Sequence, residues 1–442
     1  MKNNLTHKIR QQYQYVDRVY WLLFGLLIIV AILALFSASS TLAFAHGNTL
    51  SPILNQMLFI CAGVLVAFIV QFIPSHYIRI CGYIGLLISI GMLLLTYAGM
   101  GVTINGATRW LRIGGIVFQP SELAKLTLII VVADLLSRIK NKDDEKKYFF
   151  IVLGITGFVC LLILFNNLST TLLLGGIVFL LFFLARVHIK YWGSVLLITI
   201  GLLVGGYFLV KEVYVKPGRQ IEASLMQRAI TWVNRVDAMV EEFKAPGDSK
   251  QSLEENYQRT IAKVAIAHGG ASPVGVLPGN STERDFLPQA FADYIFAIIC
   301  EELGFVGAML IIALFAMTIL RGYWIALRAR DRFSTVFAAG LITLIAVQTV
   351  LNLCVVTNLL PSTGSALPFF SYGGRALAVN LGEMGLLLSI SRQRDQTKIQ
   401  LFHIGALPHT LTGDLRSRAK KYLRCSEKRT RSPSVCSSVS LV

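Results

Sequence analysis

The chain has 442 residues, 55% of them hydrophobic and only 15% charged, with a mean hydropathy of +0.63. Apolar runs of bilayer-spanning length recur along most of it, which excludes a soluble enzyme and describes a polytopic membrane protein. The formal net charge of +17 suggests nucleic acid, but the basic residues sit in the links between apolar runs, as in cytoplasmic loops, and no nucleic-acid partner is expected.

Residues 1–19 are polar and basic (Lys2, Lys8, Arg10, Arg18), which places the N-terminus in the cytoplasm. The first apolar run follows Tyr20 and is far longer than the core of a cleavable signal peptide. Residues 20–210 hold seven expected spans, beginning with Tyr20–Phe44, Asn55–Ile73 and Ile80–Gly99. Ala45–Pro52 carries no Lys or Arg and faces outward, whereas Arg79 marks an inner link. An outer, glycine-rich loop follows over Gly99–Gln119, and Pro120 opens the fourth span, which stops at the charged cluster Arg138–Lys147. The fifth covers Tyr148–Phe165, Asn166–Ser169 form a tight outer turn, and the sixth runs to Ala185. After Arg186 and Lys190 the seventh reaches about Val210.

Residues 211–286 form one large hydrophilic loop on the outer side, helix-like around Tyr257–His268 and then punctuated by Gly269, Gly270, Gly275 and Gly279. Residues 287–391 carry the eighth to tenth spans (about Gln289–Leu320, Thr335–Leu353 and Arg375–Ile390), with Val356–Gly374 as a second outer loop. The tail, 392–442, is basic and then Ser-rich, and reads as a disordered cytoplasmic segment near anionic lipid. The expected fold is therefore an all-α integral membrane protein of about ten transmembrane helices, with one large extracytoplasmic loop between the seventh and eighth. The seven cysteines show neither metal-ligand spacing nor a disulfide framework.

Three outer segments concentrate polar chemistry. The stretch Leu287–Gly304 sets Asp293, Glu301 and Glu302 at the head of an apolar run, where a carboxylate costs on the order of 3 kcal/mol at bilayer depth. With Pro288 in the first turn of a helix, Asp293 would fall within the first two turns. It reads either as an acid complementing the helix dipole or as a catalytic or ligand-binding carboxylate at a cavity mouth. The second segment gathers Arg109, Trp110 and Arg112 before Gln119-Pro-Ser-Glu-Leu-Ala-Lys125, where a helix N-terminus and basic side chains would suit phosphate. Glu122 and Lys125 share one helix face, so a plain i,i+3 ion pair is the competing reading. The third, Val356–Gly374, is too rich in Pro and Gly to continue a helix, and its hydroxyls (Ser371 among them) suit a lined pocket. Together these suggest a site for an amphiphilic anion entering from the membrane, which is either carried across or reacted upon.

The same residues resemble the SEDS family of bacterial membrane proteins (shape, elongation, division and sporulation) over roughly residues 15–395. The matching stretches are Asn105-Gly-Ala-Thr-Arg-Trp110, Gln119–Lys125, Tyr257-Gln258, Glu301-Glu-Leu-Gly304, Leu360-Pro-Ser-Thr-Gly364 and Leu367–Gly374. Overall similarity, including Phe36-Ser-Ala-Ser39, is greater to the division member of the family than to the elongation member. The resemblance implies a peptidoglycan glycosyltransferase that polymerises lipid II into glycan strands during septal wall synthesis. Asp293 would be the catalytic base on the acceptor hydroxyl, and undecaprenyl diphosphate the leaving group. Arg109, Trp110, Glu122, Lys125, Arg284 and Ser371 would bind substrate. The resemblance further implies a divalent cation, Mg or Mn, with no ligands identified, and no organic cofactor. Expected partners are a class B penicillin-binding protein, which crosslinks the strands, and other divisome membrane proteins. The location would be the inner membrane at the septum, with both termini cytoplasmic. The alternatives are a lipid II flippase or transporter, an elongation-type polymerase, and a structural division scaffold.

The sequence also departs from the family pattern. Phe291-Ala292 stand where His-Thr is usual, Gln289 where glutamate is common, and Asn358 where a glycine is usual. Asn167-Leu-Ser-Thr170 replaces the usual Asp-x-Gly-Thr turn, so an acid often found there is missing.

Overall fold

The computed structural model describes residues 16–46, 50–104, 107–113, 116–164, 167–215, 229–234, 236–237, 240, 253–270, 275–276, 281–283, 286, 293–360, 364, 366–371 and 374–405. Apolar runs without water must satisfy their own backbone groups, and each becomes a helix. In chain order these are α1 (Arg18–His46), α2 (Leu50–Val70), α3 (Ser75–Leu95), α4 (Pro120–Ser137), α5 (Lys142–Leu164), α6 (Leu168–Leu184) and α7 (Ile189–Val210). They continue with α8 (Leu253–Gly270), α9 (Ile295–Leu327), α10 (Arg332–Val356) and α11 (Gly374–Gly405). Five of the described helices are long and apolar enough to cross a membrane: α3 continued to Met100, α5, α7 continued to Val213, α9 and α10. The protein is thus a multi-pass membrane protein. Local signals fix several helix starts. Pro120 occupies the first turn of α4, and the Asn167 side chain caps α6 by accepting from Thr170 N–H at 3.1 Å.

The main body, Arg18–Ile390, is built around α4, which packs on α3, α5, α6 and α10. Leu128, Ile129, Val131, Val132 and Ala133 of α4 are wholly buried, as are Phe337, Leu341 and Ile342 of α10. By contrast, no residue of α7 is buried, and Leu197 and Leu202 are each 72% exposed, the composition of a helix facing lipid all round. At the basic ends of α3 and α4, Asp134 accepts from Arg138 Nη2 at 2.6 Å and from the Tyr83 hydroxyl at 2.9 Å. Arg79 joins Asp331 ahead of α10 at 2.8 Å and lies over the Phe333 ring at 4.2 Å. Burying Asp134 without these donors would cost several kcal/mol, so the network ties three helices at one end. In the second unit, residues 1–17 and 391–442, Asp17 N–H donates to Ser391 Oγ at 3.2 Å.

Three features differ from the sequence expectation. The glycine-rich outer loop is not irregular: β1 (Gly101–Ile104), β2 (Ala107–Ile113) and β3 (Ile116–Phe118) form a three-stranded antiparallel sheet in the order β1-β2-β3, pairing Val102 with Trp110 and Leu111 with Phe118. The helix of the eighth apolar run starts at Ile295, with Tyr294 as its N-cap, and continues to Leu327. Finally, α11 runs on to Gly405, beyond the end expected at Ile390, while residues 406–442 lie outside the described residues. The outer helix expected around Tyr257–His268 is observed as α8, Leu253–Gly270.

Candidate active site

Asp293 lies in a turn immediately before α9 rather than within its first two turns. The reason is visible in the backbone: Ala297 N–H bonds back to the Tyr294 carbonyl at 2.9 Å, so the helical ladder stops short of Asp293. Its carbonyl instead accepts from Asn352 Nδ2 of α10 at 2.8 Å. The residue is half-buried, and its carboxylate faces the second outer loop: a Cβ added at Gly364 would stand 3.8 Å from Asp293 Oδ2. Gly364 has φ +67°, in the left-handed region where a side chain is strained, so the loop approaches the carboxylate here with bare backbone.

That loop is anchored on the same helix. Phe370 packs on Phe315 of α9 with ring centroids 5.5 Å apart, and Phe369 stacks on it at 6.4 Å. Ser371 follows, 8% exposed, its Oγ buried and without a hydrogen-bond partner among the described residues. The structure therefore brings two of the three polar segments together at one point, Asp293 with Gly364.

Eight residues beyond Asp293, Glu301 of α9 is fully buried and gathers residues 281–283 of the preceding loop. One of its oxygens accepts from Thr282 N–H at 3.1 Å, Thr282 Oγ1 at 3.2 Å and Glu283 N–H at 3.4 Å. The other accepts from the Ser281 hydroxyl. His268, at the end of α8, stands 3.8 Å from Glu283 and 4.0 Å from Glu301. Arg284 lies outside the described residues.

The third polar segment is carried by the sheet and the start of α4. Arg109 and Trp110 lie on β2, both half-buried, and Trp110 Nε1 has no hydrogen-bond partner among the described residues. Glu122 and Lys125 form the i,i+3 ion pair, Nζ to Oε2 at 2.9 Å, with side chains only 15% and 6% exposed. Lys125 is therefore committed to a carboxylate and set below the surface, while Arg109 is the more accessible cation. Glu383 of α11, 1% exposed, lies within electrostatic reach of both Lys125 and Glu122. Neither it nor Asn352 is visible as a site residue in the sequence, because each is one of a few scattered polar residues within an apolar run. No group of three His, Cys, Asp or Glu among the described residues could hold a metal ion.

Residues 17–396 match the family model described as "Cell cycle protein", which spans FtsW, RodA and SpoVE. The chain belongs to this family. The match is the SEDS resemblance read from the sequence, and it covers most of the chain. Among relatives, a probable peptidoglycan glycosyltransferase FtsW of Geobacter metallireducens is 32% identical over 344 residues, 76% of this chain and 83% of that protein. Stage V sporulation protein E of Bacillus subtilis is 31% identical over 372 residues, 83% of this chain and 94% of that protein. A solved structure described as "Structural coordination of polymerization and crosslinking by a peptidoglycan synthase complex" superposes with a TM-score of 0.65 at 24% identity, covering 86% of this chain and 99% of the other. At that identity the structural likeness establishes the SEDS membrane fold alone.

Proposed function

We propose that this FtsW/RodA/SpoVE family member is a peptidoglycan glycosyltransferase that joins lipid II units into glycan strands outside the cytoplasmic membrane. The observation that carries the reading is the Asp293 site: a half-buried carboxylate, lifted off its helix, held through its backbone and facing a glycine of the second outer loop. Asp293 would remove the proton from the acceptor sugar's 4-hydroxyl as that oxygen bonds to the donor's anomeric carbon. The bond to undecaprenyl diphosphate breaks at the same carbon, and its electron pair leaves on the diphosphate. General-base assistance of this kind is worth about 10²–10⁴-fold.

Arg109 and Trp110 on β2 and the N-terminus of α4 supply the phosphate-facing surface, with Lys125 contributing as half of its pair with Glu122. Arg284 and Ser371 complete the proposed substrate contacts. Among the described residues, no group of three His, Cys, Asp or Glu is placed to hold the expected divalent cation. A class B penicillin-binding protein as partner is supported by the fold relative, which comes from a complex coupling polymerization to crosslinking. Location in the inner membrane at the septum, with both termini cytoplasmic and divisome proteins as further partners, rests on the similarity to FtsW and on the inner basic loops.

The test is Asp293→Asn, which keeps size and hydrogen bonding but cannot accept the proton. Purified full-length variant, supplied with lipid II, the partner transpeptidase and Mg or Mn, is expected to lose at least 100-fold in glycan synthesis on a gel while retaining its fold. Long strands from that variant would remove the catalytic assignment. Wild-type protein that makes no polymer but moves lipid II across vesicles would establish the transporter instead.

A further inference from the structure

The carbonyl of Asp293 is a backbone acceptor that α9 would have used had it begun earlier, through Ala297 N–H. With Ala297 N–H turned to Tyr294, that acceptor needs another donor, and an acceptor left dry would be costly. Asn352 supplies it. It lies in the last turns of α10, is 0% exposed, and its side-chain amide reaches the Asp293 carbonyl at 2.8 Å. Because a carbonyl can only accept, the amide nitrogen of Asn352 must be the atom facing it. A buried amide within an apolar helix is unfavourable unless hydrogen-bonded, and this bond links two helices at the point where Asp293 sits.

The geometry points to Asn352 as a positioning residue: by holding the Asp293 peptide plane, it fixes where the Asp293 carboxylate aims. A peptide held at its carbonyl cannot rotate freely about its flanking bonds, so the Cα–Cβ direction of Asp293 is set with it. The same helix feeds the loop that carries Gly364, so α10 governs both the backbone of the acid and the surface opposite its carboxylate. The inference rests on the reading of Asp293 as the base. Misplacing a reacting group by about 1 Å costs on the order of 10²-fold in rate. Asn352 is fully buried, so its loss should fall on kcat.

Asn352→Leu keeps the volume and removes the donor. In full-length protein polymerising lipid II, we expect kcat to fall 10- to 100-fold while KM for lipid II stays within about twofold. A second measurement separates aim from general damage. In the Asp293→Asn background no base remains to be aimed, so adding Asn352→Leu should change the residual rate, followed with radiolabelled lipid II over hours, by less than twofold. The same fold loss in both backgrounds, or wild-type kcat in Asn352→Leu, would overturn the proposal. The base reading fails separately, on Asp293→Asn alone: full activity there removes it whatever Asn352→Leu does.

Discussion

Glu301 satisfies four donors with one buried carboxylate, and in doing so it gathers residues 281–283 onto α9. Each buried donor left without an acceptor costs about 1–3 kcal/mol, so Glu301→Leu should be among the more destabilising single changes on the outer face. We expect its thermal midpoint in detergent to drop by several degrees, with polymerisation falling alongside. Glu301→Gln keeps one acceptor oxygen and should lie between wild type and Leu on both measures. Equal midpoints for wild type and Glu301→Leu would mean that the loop is held by other contacts. At this scale the sequence singles out acidic residues but not their tasks. Asp293 and Glu301 read alike as carboxylates at the head of an apolar run, and only the structure separates the half-buried Asp293 from the buried brace Glu301.

Between elements, α8 approaches α9 closely. A Cβ on Gly269 would lie 1.8 Å from the Cys300 carbonyl oxygen, so the two backbones touch through a glycine. Gly269→Ala must push α8 away from α9, at a cost of at least about 1–3 kcal/mol. Trypsin added to spheroplasts should then cut within α8, at Arg259 or Lys263, several times faster than in wild type; unchanged protection would mean that α8 is held elsewhere. In the sequence Gly269 appears only as one of several loop glycines, since a close contact has no signature in the chain that makes it. The helices, by contrast, were largely legible, because length and hydropathy alone dictate a span and Pro120 marks a start. The sheet over Gly101–Phe118 was not. Its strands are short, and their glycines read as loop until cross-strand pairs such as Val102 with Trp110 close them. The start of α9 is less legible for a related reason: Pro288 is a sound local signal, but Asn352, 59 residues beyond Asp293, captures the Asp293 carbonyl.

The whole molecule carries its orientation in its surface. Leu87, Leu197, Leu202 and Leu320 are 69–72% exposed, a surface tenable only in lipid, and the exposed charged residues gather in the links beyond it. Lys140 and Asn141, between α4 and α5, and Lys142 at the start of α5 belong to a basic link and should face the cytoplasm, whereas α8 should lie on the other side. Asn141 and Thr260 are both exposed, which makes them suitable reporters. In a background with all seven cysteines replaced, a membrane-impermeant maleimide should label Thr260→Cys in intact spheroplasts. Asn141→Cys should react only after permeabilisation. The proposed chemistry depends on this result, because no apolar run of spanning length separates α8 from Asp293 in the sequence. If Asn141→Cys reacts from outside while Thr260→Cys does not, Asp293 would face the cytoplasm, and strand synthesis outside the membrane would be impossible for this fold.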